Sequence, residues 1–136
     1  MKFTRVKEEA GRKQYYFETF TRPDFIEAAL VVTTDENSRV SRLFFNSNDL
    51  GTAELDAKEG LVACNSWETE DAAMNPEAGG SRWFPVILHN GSENGEYAKS
   101  IMTRVLTRID DDALSSMVED FTRRDGEVVF DPDSFR

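Results

Sequence analysis

Asn94–Arg124, with the sequence NGEYAKSIMTRVLTRIDDDALSSMVEDFTRR, is the segment that decides the fold. Apolar residues recur in it at steps of three and four, which places them along one face of a helix. The first set predicts a helix over about 96–109 and consists of Ala98, Ile101, Met102, Val105 and Ile109. The second predicts a helix over about 111–124 and consists of Leu114, Met117, Val118 and Phe121.

Three aspartates, Asp110–Asp112, separate the two runs. They supply a cap and negative charge at the start of the second helix, where unpaired N–H groups and the helix dipole favour both. A metal site is the other interpretation of the same residues. Consecutive residues of a helical turn diverge around its axis, whereas a hard cation needs oxygen ligands that converge. The sequence therefore favours a helix start here and predicts no metal site.

The rest of the chain is typical of a β-sheet, because runs of β-branched and aromatic residues alternate with turn residues. A hairpin over residues 25–46 is the clearest prediction, and it is expected at the centre of the sheet. Further strands are predicted at 2–9, 13–20, 61–67, 83–89 and 127–130, with a short edge strand at 52–56. Pro85 predicts that its strand lies at an edge or carries a bulge, since proline cannot donate to a ladder. Strands followed by two consecutive helices indicate a single α+β domain over residues 1–136, with a mostly antiparallel sheet covered on one face by the helices.

Composition excludes several classes of protein. The 136 residues are 39% apolar and 31% charged, as in an ordinary folded domain, and no apolar run approaches the length of a membrane helix. Cys64 is the one cysteine, so an intrachain disulfide is excluded. The first residues lack the apolar core of a signal peptide. We therefore expect a cytoplasmic protein.

The net charge of −10 is unevenly distributed along the chain. Residues 49–81 contain eight acidic residues and a single lysine, a net charge of −7. Such a segment repels phosphate backbones, so we expect no direct binding to nucleic acid and none to membranes. It would attract a basic protein surface and accelerate the encounter with it. A general contribution to solubility is the simpler interpretation.

Few residues are suited to catalysis. His89, the only histidine, follows a predicted strand, and Cys64 lies within another; together they could form a nucleophile and base if these strands were neighbours. One histidine and one cysteine cannot complete a zinc site. The glycines do not have the spacing of a phosphate-binding loop, so no cofactor is expected.

Two tryptophans bracket the acidic, irregular segment. Tryptophan is enriched at binding hot spots, and an apolar centre surrounded by charge is the usual plan of an interface. The predicted partner-binding patch consists of Trp67, Glu68, Glu70, Asp71, Glu77, Arg82 and Trp83. The competing interpretation places both tryptophans in the core at strand ends.

These patterns favour a small acidic, non-enzymatic binding protein. It would act as an inhibitor, immunity or anti-defence protein that docks an acidic surface on a basic nuclease or nucleic-acid-binding partner. One alternative is a small-molecule-binding or modestly enzymatic domain with a pocket between sheet and helices, using His89, Cys64, Tyr15 and Tyr16. A second alternative is a cytoplasmic chaperone or assembly factor. The expected assembly is a monomer or a homodimer, and dimerisation through the helical pair would favour the second alternative.

Overall fold

A computed structural model shows how these segments assemble. It describes residues 1–48, 51–57, 61–66, 84–87, 103–123 and 127–136, with the backbone alone in 61–66 and 84–87. The predicted α+β class is confirmed: an antiparallel sheet is followed by two C-terminal helices.

Seven strands form one sheet in the described part of the chain, and each pairs antiparallel with the next in sequence. The strands are β1 (Lys2–Glu9), β2 (Arg12–Arg22), β3 (Phe25–Thr34), β4 (Val40–Ser47), β5 (Gly51–Asp56), β6 (Leu61–Ser66) and β7 (Phe84–Ile87). The predicted hairpin is thus β3–β4, and it lies at the centre of the sheet. Short connections explain the order of β1 to β6, because consecutive antiparallel strands need only a turn between them. Residues 67–83 separate β6 from β7 in the sequence.

The turns have the local chemistry that their geometry requires. Ala10 and Gly11 connect β1 to β2 with φ angles of 52° and 78°, the left-handed backbone of a two-residue hairpin turn. In the β3–β4 turn, the Asp35 carboxylate accepts hydrogen bonds from the backbone N–H groups of Asn37 and Arg39, at 2.8 and 3.0 Å. An aspartate that bonds the backbone two residues ahead is a strong turn signal.

Strand alternation places one set of side chains on the helix side of the sheet, called here the inner face. Two rows of directly paired residues cross β2 to β5 on this face, and all eight are buried. One row is Tyr15, Val32, Leu43 and Leu55; the other is Phe17, Leu30, Phe45 and Ala53. Burial of these side chains provides the main driving force for folding.

Two helices cover the inner face. Helix α1 is helical at residues 103–108, and the remainder of the predicted segment 96–109 up to residue 102 lies outside the described residues. Helix α2 spans Asp112–Arg123, within one residue of the prediction at each end. Its buried side chains are the predicted stripe of Leu114, Met117, Val118 and Phe121, which join Val105 and Ile109 in the core.

The cap predicted among the three aspartates is Asp111. Its carboxylate accepts hydrogen bonds from the backbone N–H groups of Ala113 and Leu114, at 3.0 and 3.1 Å. These bonds satisfy two of the donors that the first turn of a helix leaves free. On the exposed side of α2, Arg123 contacts Glu119 at 3.3 Å, as their spacing predicts.

Two predictions about strands are wrong. The segment at 52–56 is not an edge strand, because β5 pairs with β4 on one side and β6 on the other. Residues 127–130 form a single bridge, Arg39 to Val129, in place of a strand. Asp131 and Pro132 follow at once and begin a 3-10 helix, Pro132–Phe135, which prevents the pairing from extending.

The C-terminal segment completes the core. The Phe130 ring lies 4.7 Å from the Tyr15 ring and stacks on Phe135 at 5.3 Å between centroids. Edge-on contacts to Phe17 extend this aromatic cluster. The last ten residues of the chain therefore pack beside α2 and against the first half of the sheet.

Candidate functional site

The predicted partner-binding patch of residues 67–83 lies outside the described residues. What the structure does provide is the pairing of the strands on either side of it. Leu61 pairs with Ile87 and Cys64 pairs with Phe84, so β6 and β7 are antiparallel neighbours. The chain therefore leaves β6 and enters β7 at the same end of the sheet, and Trp67 and Trp83 are the next residues in sequence.

The structure locates only one member of the candidate catalytic pair, Cys64 and His89. The backbone of Cys64 lies in β6, between Ala53 of β5 and Phe84 of β7. His89 lies outside the described residues. Pro85 pairs with Ala63 and lies in β7, which is the last strand of the sheet among the described residues, as an edge position for this proline would require.

The two tyrosines of the pocket hypothesis lie on opposite faces of the sheet. Tyr15 is buried in the core beside Phe130, whereas Tyr16 is half-buried on the other face. Adjacent residues of a strand point in opposite directions, so the two phenol groups cannot share a pocket between sheet and helices.

Tyr16 belongs to a mixed row on the face opposite the helices, called here the outer face. Directly paired residues along this row are Arg5, Tyr16, Val31, Phe44 and Glu54. The Arg5 guanidinium lies 4.3 Å from the centre of the Tyr16 ring, a cation–π distance. The row combines an apolar centre with a cation at one end and a carboxylate at the other.

Glu18 is the buried carboxylate of the outer face, with only 5% of its surface exposed. The Thr4 hydroxyl donates a hydrogen bond to it, and the Arg5 Nε atom lies 3.9 Å from its Oε1 atom. A buried charge is tolerated when it is paired and hydrogen-bonded. The cluster thus holds Arg5 between a carboxylate and an aromatic ring.

A second surface lies between α2 and the C-terminal segment, and we call it the acidic groove. It has a volume of about 370 Å³. Its floor is apolar and includes Met117, Val128 and Phe135. Val129 also lines it, with 67% of its surface exposed.

Carboxylates line the acidic groove. Asp120 of α2 and Glu127 and Asp131 of the C-terminal segment all border it, and no Lys or Arg is among its described lining residues. Arg39 reaches Glu127 from outside, at 2.8 Å. Asp131 also accepts a hydrogen bond from the backbone N–H of Asp133, at 3.0 Å. The groove therefore combines exposed apolar surface with negative charge.

The sequence did not reveal the acidic groove. Asp120 is not among the predicted site residues, and residues 127–130 were predicted only as a strand. The Val40 N–H donates a hydrogen bond to the Val128 carbonyl, and the Phe130 N–H donates one to the Ser38 carbonyl. These bonds hold the C-terminal segment to the start of β4, and the groove lies between that segment and α2. That contact spans about ninety residues of sequence, beyond the reach of any local pattern.

Comparisons of the chain with protein families, with curated proteins and with solved structures find no match. Within the described part of the chain, no helix has the length and apolar character needed to cross a membrane. Among the same residues, no group of three or more His, Cys, Asp or Glu side chains converges as metal ligands would.

Proposed function

We propose that this chain is a non-enzymatic binding protein that docks an acidic surface on a basic protein partner. In this role it inhibits or neutralises that partner, and the partner's class is a nuclease or another nucleic-acid-binding protein. The observation that carries the proposal is the acidic groove, where three carboxylates surround exposed apolar surface.

The chemistry of the groove specifies what it would bind. An apolar anchor from the partner would cover Val129, while Lys or Arg side chains beside it would meet Asp120 and Asp131. Interfaces of this kind gain affinity from the buried apolar centre, and gain specificity and association rate from the charged rim. A net charge of −10 adds long-range attraction for a basic partner.

The segment 67–83 supplies a second proposed contact. Its acidic residues and its two tryptophans have the composition of a binding patch, and β6 and β7 anchor it at one end of the sheet. The two contacts can be tested separately, because they involve different residues.

Asp120→Lys is the variant that tests the groove. Lysine at this position places a cation in the last turn of α2, which the helix dipole favours, so we expect the fold to persist. Glu36→Lys, in the exposed β3–β4 turn, changes the net charge equally and serves as the control. Pull-down from source-cell or host lysate, at low and high salt and with mass spectrometry, measures partner capture.

We expect the wild type and Glu36→Lys to capture the same basic protein, more weakly at high salt, and Asp120→Lys to lose it. Combined reversal of Glu68, Glu70 and Asp71 to lysine should also abolish capture while circular dichroism stays unchanged. Capture that survives both sets of changes would contradict the proposal.

One observation favours small-molecule binding as a second candidate function. A depression of about 640 Å³ on the outer face is lined by polar groups that include Arg12, Gln14, Arg42 and Asp56. This volume is within the range of small-molecule sites, roughly 300–1,000 Å³. Thermal-shift screening of metabolites tests it, and loss of a stabilising hit in Arg12→Ala would locate the site.

Dimerisation through the helical pair would have favoured the chaperone alternative. The apolar stripe of α2 packs against the sheet, so it is not available for such a contact. Self-association would have to use a different surface.

A further inference from the structure

One side of the C-terminal segment has backbone groups that no described residue satisfies. The Val128 carbonyl and the Phe130 N–H both hydrogen-bond to the start of β4. Because peptide groups are planar and trans, the N–H and C=O of Val129, which lies between them, point the opposite way. Neither group has a hydrogen-bond partner among the described residues. We call this side of residues 127–131 the free edge.

The acidic groove runs along the free edge. Its lining includes the consecutive residues Glu127, Val128, Val129, Phe130 and Asp131. Consecutive residues of an extended chain point to opposite faces, so a groove over one face would be lined by every second residue only. Contact with all of them shows that the groove meets the segment edge-on, where the unsatisfied N–H and C=O of Val129 lie.

The opposite wall of the acidic groove is one face of α2. The residues of α2 that line it are spaced three and four apart and are Ala113, Ser116, Met117 and Asp120. Ala113 and Ser116 have small side chains, which leaves space beside the free edge. An extended chain in the groove would therefore lie between the free edge and α2.

Side chains along the free edge alternate in exposure and in charge. Glu127, Val129 and Asp131 are exposed, whereas Val128 and Phe130 are partly or fully buried. The exposed face thus presents a carboxylate, an apolar side chain and a second carboxylate. Directly opposed side chains of an antiparallel pair contact each other, and opposite charges there are stabilising. The complementary strand has basic, apolar and basic side chains at alternate positions.

We propose that the free edge binds an extended segment of the basic partner as an added antiparallel strand. A large apolar residue of the segment lies opposite Val129, with Lys or Arg two positions before and after it. Val129 exchanges two backbone hydrogen bonds with that apolar residue. This inference rests on the proposed function, and it narrows the partner to a protein that presents such a segment.

The charges of the acidic groove select this occupant over a second copy of the chain. Two copies paired through their free edges, with Val129 opposite Val129, would place Glu127 of each copy against Asp131 of the other. Like charges directly opposed are destabilising. Arg39 contacts Glu127, so Asp120 and Asp131 carry the unbalanced charge, and no Lys or Arg is among the described residues that line the groove.

A short peptide with the complementary pattern provides the first test. The probe is acetyl-Lys-Thr-Val-Thr-Lys-amide with a fluorescein label, and fluorescence anisotropy measures its binding to the full chain. We expect saturable binding that weakens at high salt. Exchange of both lysines of the peptide for glutamate, or Asp120→Lys in the protein, should weaken binding at least tenfold.

Val129→Pro tests the backbone of the free edge. Proline removes the N–H but is tolerated where that group faces away from the neighbouring strand, so we expect the fold to persist, as circular dichroism verifies. The affinity for the peptide should fall about tenfold, because a hydrogen bond is lost. Val129→Thr keeps both the N–H and the branched shape, and it should change the affinity by no more than about twofold.

N-methylated peptides make the same test on the unaltered protein. Methylation of the central valine nitrogen removes the donor that faces Val129 and should abolish binding. Methylation of a threonine nitrogen, which points away from the free edge, should leave binding intact. Equal binding of the two methylated peptides, or no saturable binding of the unmodified peptide to the wild type, would overturn the inference.

Partner capture from lysate distinguishes this inference from the proposed function. Capture that is lost in Asp120→Lys but unchanged in folded Val129→Pro would contradict strand addition and leave the proposed function standing. Capture that survives Asp120→Lys and the reversals in residues 68–71 would contradict the proposed function, whatever the peptide does.

Discussion

The two faces of the sheet use the same strands and the same alternation but differ in composition. Across β2 to β5, the inner face presents two uninterrupted rows of buried apolar side chains. The outer face presents a half-buried aromatic and aliphatic centre, with ion pairs such as Arg42 to Glu54 around it. Burial of the inner face provides most of the stability of the fold. The side chains of the outer face stay partly exposed, so they remain accessible for contacts.

The largest difference in stability between the two faces is expected at two neighbouring phenylalanines of β4. Phe45 is buried on the inner face and Phe44 is half-buried on the outer face. We expect Phe45→Ala to lower the free energy of unfolding by about 3–5 kcal/mol. Phe44→Ala should lower it by only about 1 kcal/mol, in proportion to its smaller buried area. Urea denaturation measures both, and equal losses would show that the two faces contribute alike.

Loss of the hydrogen bond to Glu18, the buried carboxylate of the outer face, should have an intermediate effect on stability. Thr4→Val removes the hydroxyl that donates to Glu18 and leaves Arg5, at 3.9 Å, as its remaining charged partner. Loss of a hydrogen bond to a buried charge should cost about 1.5 kcal/mol. Thr4→Ser keeps the hydroxyl and is the matched control. If thermal denaturation finds the two variants equally stable, the Thr4 hydroxyl does not stabilise Glu18.

Variants at the start of α2, which covers the inner face, should have the smallest effect on the free energy of unfolding. Asp111→Ala removes the cap of α2 and should lower the free energy of unfolding by about 1 kcal/mol. Asp112→Ala retains the cap and loses only first-turn charge, at a cost of roughly 0.3–0.5 kcal/mol. Urea titrations of both variants test the assignment. A larger loss for Asp112→Ala would place the cap at a different aspartate.

Several elements follow from local pattern. The stripe of α2, an aspartate cap within Asp110–Asp112 and the β3–β4 hairpin are each encoded within a few neighbouring residues, so the sequence predicts them closely. The hydrogen bonds of the structure identify Asp111 as the cap. The interior position of β5 is not encoded in this way, because its side chains are the same whether one or two strands flank it. Pro85 indicates an edge or a bulge, since the missing N–H is itself a local property.

The candidate surfaces depended on contacts between distant segments. The sequence identified the acidic residues of 67–83 and the two tyrosines, but it placed Tyr15 and Tyr16 in one pocket although strand alternation separates them. The acidic groove requires the chain end to return to Ser38 and Val40. The mixed row on the outer face requires the register that aligns Tyr16 with Val31 and Val31 with Phe44.

By itself, the sequence determined helix α2, most of the strands, the acidity and the α+β class. These depend on periodicities of two and 3.6 residues and on a simple sum of charges. Only the tertiary structure decided which apolar residues remain exposed, as Val129 and Phe25 do, and which charge is buried, as Glu18 is. The physical reason is that exposure is a property of packing between distant segments, and local periodicity carries no information about which segments meet.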